Sequence, residues 1–244
     1  MEKICSRKHW FVRHLRLLGS EREYREEQGQ FVCDGEKMLR EALSFGGEVV
    51  GVLWRGEHGE MSGCGEQFFA DEDIFEYASP LKNSPGPVFA VRMPQQSRRA
   101  VKNAIVLENV QDPGNVGTVL RTASALEIDA VILTGACAEL YNPKTVRATM
   151  GAIFRQYAVE TGDLAGFLSR NGLLLYGAAL SDRAVDIRSV DLKNAAVAIG
   201  NEGRGLTKEL LDMCRGQIII PMSPDSESLN AGIAAGIVMW EMVR

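Results

Sequence analysis

The chain has 244 residues, of which 45% are hydrophobic and 24% charged, a composition typical of a folded globular protein and not of a disordered one. Its five cysteines are scattered with no C-x-x-C pair, so we predict neither a disulfide framework nor a metal site, and we expect a reduced, cytoplasmic protein. A formal net charge of −5 counts against binding nucleic acid through overall attraction.

The first hundred residues predict a small α/β unit. Apolar residues at helical spacing, from Trp10 to Leu18, predict a basic first helix, and a second helix is expected over residues 35–43. Short apolar runs then predict strands at 48–54, 67–70 and 88–91. The polar segment MPQQSRRAVKN is typical of a linker. We therefore predict two domains, 1–98 and 99–244.

The second part alternates strands and helices regularly. Strands are predicted at 104–108, 130–134, 156–160, 173–179, 195–200 and 217–221. Helices are predicted at 116–126, 143–154, 163–170, 207–214 and 228–243. This alternation predicts an α/β fold with a mainly parallel sheet covered by helices on both faces, and ligands of such sheets bind at the carboxyl ends of the strands.

The first loop at such a strand end is NVQDPGNVG, which leads into the helix that carries Arg121. Pro113 favours a turn, and Asn115 is well suited to cap the helix. Gly117 and Arg121 share a helix face, where the helix N-terminus and the guanidinium would favour an anion. A capped helix with one surface arginine explains the same residues equally well.

The second loop, IGNEGRG, has three glycines that let a ligand approach the backbone closely. Its spacing does not match the G-x-G-x-x-G of dinucleotide sites, which weakens an NAD-binding interpretation. A tight turn is the structural alternative, and the partner of Glu202 is left open between a ligand and a helix cap.

The third loop, IPMSPDSESLN, ends a strand and begins the last helix. We predict Ser226 or Ser228 as the cap of that helix, with Asn230 adding donors and acceptors in the same turn. Gly232 and Gly236 are four residues apart and suit close packing against another backbone.

Together the loops resemble a known family. The stretches NVQDPGNVGTVLRTASAL, VAIGNEGRGLTKELL and IPMSPDSESLNAGIAAGI are similar, in order and spacing, to the three signature motifs of the SpoU (TrmH-like) branch of the SPOUT RNA 2′-O-ribose methyltransferases. LYNPKTVRATMGAIF and FVCDGEKMLREAL also resemble that branch, so the resemblance covers essentially the whole chain. It implies methyl transfer from S-adenosylmethionine to an RNA ribose 2′-hydroxyl, with ribosomal RNA favoured over transfer RNA. It further implies a deep trefoil knot in the C-terminal sheet and a homodimer formed through that region.

The resemblance also implies roles for individual residues. The catalytic set would be Arg121, Asn115, Glu202, Ser228 and Asn230. The cofactor-binding set would be Gly200, Asn201, Ile220, Met222, Ser228 and Leu229. A guanidinium with a pKa above ~12 is a poor proton acceptor, so we interpret Arg121 as an RNA anchor that stabilises the developing alkoxide.

The domain 1–98 is then expected to bind RNA. The candidate RNA-binding residues are Arg7, Lys8 and Arg13, together with Arg121. Trp10, Phe11 and Tyr24 are candidates for stacking on bases, although Trp10 and Phe11 are better explained as core residues.

One departure from the family pattern follows the Ser-Leu-Asn of the third motif. Members often have a β-branched residue and then a small polar one there, whereas this chain has Ala231 and Gly232. The main alternative function is a catalytically inactive RNA- or ribosome-binding protein of the same fold, against which the intact set of candidate catalytic residues argues.

Overall fold

The computed structural model describes residues 1–57, 60–94, 100–223, 225 and 228–244. The chain divides into two compact units, one formed by Met1–Gln95 with Tyr141–Arg155 and the other by Gln96–Leu140 with Gln156–Arg244. The predicted boundary at residues 98 and 99 lies outside the described residues. Within the described ranges, no helix has both the length and the apolar character needed to cross a bilayer.

The regular elements are named in chain order. The strands are β1 Glu2–Ile4, β2 Gln30–Asp34, β3 Val49–Arg55, β4 Cys64–Ala70, β5 Val88–Arg92, β6 Ala104–Glu108, β7 Ala130–Thr134, β8 Ala158–Glu160, β9 Leu174–Ala178, β10 Val185–Asp186, β11 Ala195–Ile199 and β12 Gly216–Ile219. The helices are α1 Trp10–Ser20, α2 Arg22–Gln28, α3 Glu36–Ser44, α4 Glu72–Ala78, α5 Pro113–Ala125, α6 Pro143–Ala148, α7 Leu164–Asn171, α8 Lys208–Met213 and α9 Ala231–Val243.

The first unit contains a mixed five-stranded sheet in the order β1-β4-β3-β5-β2. Helices α1 and α4 pack on one face of it, where Phe11 and Leu15 of α1 meet Phe68 and Phe75. The prediction that Phe11 is a core residue is confirmed, but the same prediction for Trp10 is wrong, because Trp10 is 54% exposed. Trp10 is the first residue of α1 and lies off the buried stripe that starts at Phe11.

A buried histidine ties three elements of the first unit together. His14 of α1 is hydrogen-bonded through Nδ1 to the Tyr24 hydroxyl (2.9 Å) and through Nε2 to Gln30 Oε1 (3.0 Å). Burial lowers the pKa of His14 below its ordinary value of 6.5, and the hydrogen bond to Gln30 opposes this effect only in part. The neutral imidazole is therefore the form that fits this site.

Residues 143–154 were predicted as one helix, and this prediction is wrong in its second half. Helix α6 ends at Ala148, Met150 and Gly151 have positive φ angles of 50° and 95°, and a short 3-10 helix follows at Ala152–Phe154. A Cβ at position 151 would overlap the side chain of Glu41, so glycine suits this turn on two counts.

The segment Tyr141–Arg155 belongs to the first unit, although the sequence placed it in the second domain. Arg147 donates to the buried carboxylate of Asp34 at 2.7 Å. The ring of Phe31 packs against Tyr141 and Phe154, at centroid distances of 4.9 and 6.1 Å. These contacts hold the segment against β2.

The second unit contains a seven-stranded sheet in the order β10-β12-β9-β11-β6-β7-β8, and every neighbouring pair is parallel. The predicted parallel sheet is thus confirmed. Alternate residues of a strand point to opposite faces, and every residue of β6 and β11 is buried, so both faces of these strands are covered. Helices α7 and α8 pack on one face, since their apolar residues join the cluster formed by Ala104, Val106, Ala196 and Ala198.

Candidate active site

The carboxyl ends of β12, β9, β11 and β6 are neighbours in this sheet, so the loops that follow them meet at one edge. The three loops singled out in the sequence follow β6, β11 and β12. The three loops are therefore neighbours at this edge of the sheet.

The first loop begins at Asn109, which has a positive φ of 56° and accepts a hydrogen bond from the Ala136 backbone through Oδ1 (2.8 Å). Helix α5 then begins at Pro113, earlier than predicted. Its cap is Asp112, whose carboxylate accepts from the backbone N–H of Asn115 at 2.8 Å. The prediction that Asn115 is the cap is wrong, because Pro113 occupies the first helical position and leaves Asp112 just outside the helix.

Asn115 instead links the three loops through its side chain. Its Nδ2 donates to Glu202 Oε1 of the second loop at 2.7 Å. Its Oδ1 accepts from Asn230 Nδ2 of the third loop at 3.0 Å. Three of the five predicted catalytic residues thus form one hydrogen-bonded chain, which also identifies the partner of Glu202.

The second loop is a tight hairpin between Asn201 and Gly205, whose backbones exchange hydrogen bonds of 3.1 and 2.9 Å. Gly200 has no room for a side chain, because a Cβ there would overlap the backbone of Gly205. Asn201 fixes the hairpin through its amide, which donates to the Asn109 carbonyl (3.0 Å) and accepts from the backbones of Gly203 and Arg204 (2.9 and 3.1 Å). The loop is therefore a tight turn, and position 200 within it has to be glycine.

A buried carboxylate that the sequence analysis did not single out holds the far end of this loop. Glu108, 7% exposed at the end of β6, accepts from both the backbone N–H and the hydroxyl of Thr207, each at 2.7 Å. Thr207 in turn caps α8. The available signal was an acidic residue that closes the otherwise apolar strand AIVLE. Burial, followed by the charge of Glu108, raises the pKa of the Cys214 thiol to about 11, so this thiol stays protonated at neutral pH.

The third loop ends at Asn230, which caps α9 by accepting from the backbones of Gly232 and Ile233 (2.9 and 3.2 Å). The prediction that Ser228 is the cap is wrong, and its alternative, Ser226, lies outside the described residues. Asn230 has two roles here, because its oxygen caps the helix while its amide nitrogen reaches Asn115.

Helices α5 and α9 pack closely, as the glycine spacing predicted. A Cβ at position 232 would lie 3.4 Å from the methyl group of Thr118, and one at position 236 would lie 3.9 Å from that of Thr122. The same Cβ at 232 would lie 3.2 Å from Asn230 Oδ1 and 3.4 Å from Asn115 Oδ1. The small residue at this departure from the family pattern therefore leaves room for the hydrogen-bonded chain.

A cavity of about 610 Å³ lies among the loops that follow β9, β11 and β12. All six predicted cofactor-binding residues line it: Gly200, Asn201, Ile220, Met222, Ser228 and Leu229. Much of the remaining lining consists of small or apolar residues, and the volume falls in the usual range for a small-molecule site. Glu202 both lines the cavity and binds Asn115, so the hydrogen-bonded chain begins at its wall.

The candidate RNA-binding residues have fewer side-chain contacts with described residues than the residues of the three loops. Arg121 is exposed and its guanidinium forms no hydrogen bond or ion pair with another described residue, so the structure does not join it to the Asn115 chain. In the first unit, Arg7 donates to the Asp73 carbonyl (3.3 Å) and lies over the Tyr77 ring. Lys8 and Arg13 are exposed, with no ion pair to any residue described.

Comparison with known proteins agrees with this geometry. The sequence model of the SpoU rRNA Methylase family matches residues 102–240. The chain is 29% identical, over 99% of both sequences, to the Bacillus subtilis (strain 168) protein named 23S rRNA (guanosine(2553)-2′-O)-methyltransferase RlmP. It is 35% identical over 57% of both sequences to the 23S rRNA (guanosine-2′-O-)-methyltransferase RlmB of Xanthomonas campestris pv. campestris.

Solved structures also match the chain over nearly its full length. The AdoMet-bound rRNA methyltransferase from Sinorhizobium meliloti has a TM-score of 0.86 and 26% identity, covering 99% of this chain and 97% of that one. The SpoU methyltransferase AviRb from Streptomyces viridochromogenes has a TM-score of 0.85 and 25% identity, covering 96% of each chain. The chain therefore belongs to the SpoU rRNA Methylase family and is, as the sequence predicted, an S-adenosylmethionine-dependent RNA 2′-O-ribose methyltransferase.

Proposed function

We propose that this enzyme methylates a ribose 2′-hydroxyl of ribosomal RNA, at a site formed where the three motif loops meet. The observation that carries the site is the chain Glu202–Asn115–Asn230, which starts at the wall of the 610 Å³ cavity. Ribosomal RNA is favoured because relatives named for 23S rRNA match the chain over its whole length, including the first unit.

The cavity is the proposed site of the methyl donor, and its residues fit that molecule. Gly200 leaves the backbone bare, while Ile220 and Leu229 offer an apolar surface to a nucleoside. When bound, S-adenosylmethionine supplies a methyl group on a positively charged sulfur. Buried Glu108 and the amide of Asn201 hold the two ends of the second loop, so the cavity wall is organised before the donor arrives.

The catalytic proposal assigns Arg121 to the substrate. Its guanidinium, free of partners among the described residues, binds a phosphate next to the target ribose and stabilises the negative charge that develops on the 2′-oxygen as the hydroxyl proton passes to water. Asn115, Glu202 and Asn230 keep the surrounding groups in a fixed arrangement through their hydrogen bonds. Ser228 lines the cavity and orients the reacting groups from the third loop.

The first unit is proposed to hold the RNA. Lys8 and Arg13 have no ion pair among the described residues and are available to phosphates, whereas Arg7 is partly committed to Asp73 and Tyr77. The exposed ring of Trp10 is available to stack on an unpaired base.

We further propose that two copies of the chain pair through α9, and that the C-terminal part of the sheet forms a deep trefoil knot. The dimer is supported by an apolar stripe on one side of α9, where Ile233, Ile237, Trp240 and Val243 are 56%, 38%, 60% and 43% exposed. The knot is supported by the resemblance to the family and is an exception to the general rule that chains are unknotted.

The function is tested by mapping 2′-O-methylation in ribosomal and transfer RNA from cells with and without the gene. We expect one ribosomal position to lose its methyl group and to regain it with the wild-type gene, but not with one encoding Arg121→Ala. Loss of a methyl group from transfer RNA would contradict the choice of substrate. An unchanged map, together with RNA that still copurifies with the protein, would favour the inactive RNA-binding alternative.

A further inference from the structure

The cavity wall contains one cation to which neither the motif comparison nor the catalytic proposal assigns a role. Glu202 and Arg204 are the only charged residues among the described residues that line the cavity. Glu202 is engaged by Asn115, whereas the guanidinium of Arg204 has no hydrogen bond or ion pair with any described residue. The cavity wall therefore offers one guanidinium that forms no ion pair with a described residue.

The backbone of Arg204 is held by hydrogen bonds, while its guanidinium has no partner among the described residues. Its backbone N–H donates to Asn201 Oδ1 at 3.1 Å, inside a hairpin closed on both sides by the Asn201–Gly205 hydrogen bonds. Because this backbone is already held in place, only the side chain of Arg204 has to lose freedom when it binds an anion. Two of the five N–H donors of a guanidinium can bind both oxygens of a carboxylate through parallel hydrogen bonds.

We propose that Arg204 binds the α-carboxylate of the methionine part of S-adenosylmethionine. This inference rests on the proposal that the cavity is the donor site. The donor carries one anionic group, its α-carboxylate, which needs a cation or several N–H donors when it leaves water. Arg204 is the only cation among the described residues of the wall, so it is the residue that can recognise this end of the donor.

The test compares S-adenosylmethionine with its decarboxylated analogue, because the two ligands differ only in the carboxylate. Dissociation constants are measured by calorimetry on the full chain, as wild type and as Arg204→Ala, Arg204→Lys and Arg215→Ala. Arg215 is a matched control, since it is an exposed arginine close in sequence that does not line the cavity. We expect Arg204→Ala to weaken binding of S-adenosylmethionine by about 10- to 100-fold and to leave binding of the analogue unchanged. Arg204→Lys should have an intermediate effect, and Arg215→Ala none.

Several outcomes would overturn the inference. If Arg204→Ala weakens both ligands equally, the residue shapes the loop and does not bind the carboxylate. If it changes neither dissociation constant but raises the KM for RNA, the guanidinium binds a phosphate of the substrate. If the wild type binds the donor but Gly200→Ala in the same wall leaves that affinity unchanged, the failure lies with the proposed cavity itself and not with Arg204 alone.

Discussion

Replacing Gly200 with alanine should disable the donor site through one added methyl group. The new Cβ would overlap the Gly205 backbone and lie 2.5 Å from the Leu206 nitrogen, a separation that real Cβ atoms do not show. Relief requires opening the two Asn201–Gly205 hydrogen bonds and displacing the hairpin. Lost hydrogen bonds and overpacking together cost about 2–6 kcal/mol. Because the cavity needs this hairpin, we expect S-adenosylmethionine to bind at least about 30-fold more weakly.

Calorimetric titration of the full chain measures this effect, with thermal unfolding as a check that the variant is folded. Gly162→Ala is a control outside the cavity lining, since an added Cβ there would meet nothing within 4 Å. The control should change the dissociation constant by about twofold at most. A Gly200→Ala protein that binds the donor with wild-type affinity would refute both the cavity assignment and the steric reasoning.

Four further substitutions test other parts of the structure. Arg121→Lys keeps the charge but loses the planar fork, so kcat should fall at least about tenfold in a methylation assay, and near-normal turnover would contradict the proposed role. Asn115 does not itself line the cavity, so Asn115→Ala, which removes its hydrogen bonds to Glu202 and Asn230, should lower kcat by about 10- to 100-fold while calorimetry shows little change in donor affinity. His14→Gln tests pH dependence: the folded-state pKa of His14 lies below 6.5, so the unfolded chain binds more protons and the wild-type free energy of unfolding falls as pH drops below 6.5. Urea unfolding on either side of that pH should show a flatter dependence in the variant, and an equal slope would contradict this account. Arg147→Ala leaves a buried carboxylate without its cation and should lower the free energy of unfolding by about 1–3 kcal/mol in urea, with partial recovery when Asp34→Asn is added.

The central strands of the second unit could be predicted well because they are buried on both faces. Such strands are continuous apolar runs bounded by turn residues, so β6 and β7 begin and end at the predicted residues. The three motif loops were located for a related reason, since the ends of parallel strands are where glycine, proline and asparagine collect. The predicted cofactor residues all line one cavity because their loops follow neighbouring strands.

The sequence-based predictions failed where the choice between two similar local structures depends on a side-chain partner or on a short pattern. Asp112 and Asn115 are both good helix caps, and only the position of Pro113 within α5 selects Asp112. Helix α4 was not predicted, because its residues EDIFEYA form only two turns and its apolar side is short. Glu108 was not singled out because its partner, Thr207, lies 99 residues away, a pairing that spacing along the chain cannot reveal.

The segment Tyr141–Arg155 lies within the family match but folds with the first unit. The family match spans residues 102–240 and includes this segment, yet the side chains that hold it, among them Asp34 and Phe31, lie outside the match. In a protein cut between residues 94 and 100, the segment would be separated from its partners, leaving Arg147 without Asp34 and the rings of Tyr141 and Phe154 without Phe31. Shuffling of the N-terminal unit during evolution, or its replacement by an engineer, therefore has to change residues within the methyltransferase sequence as well.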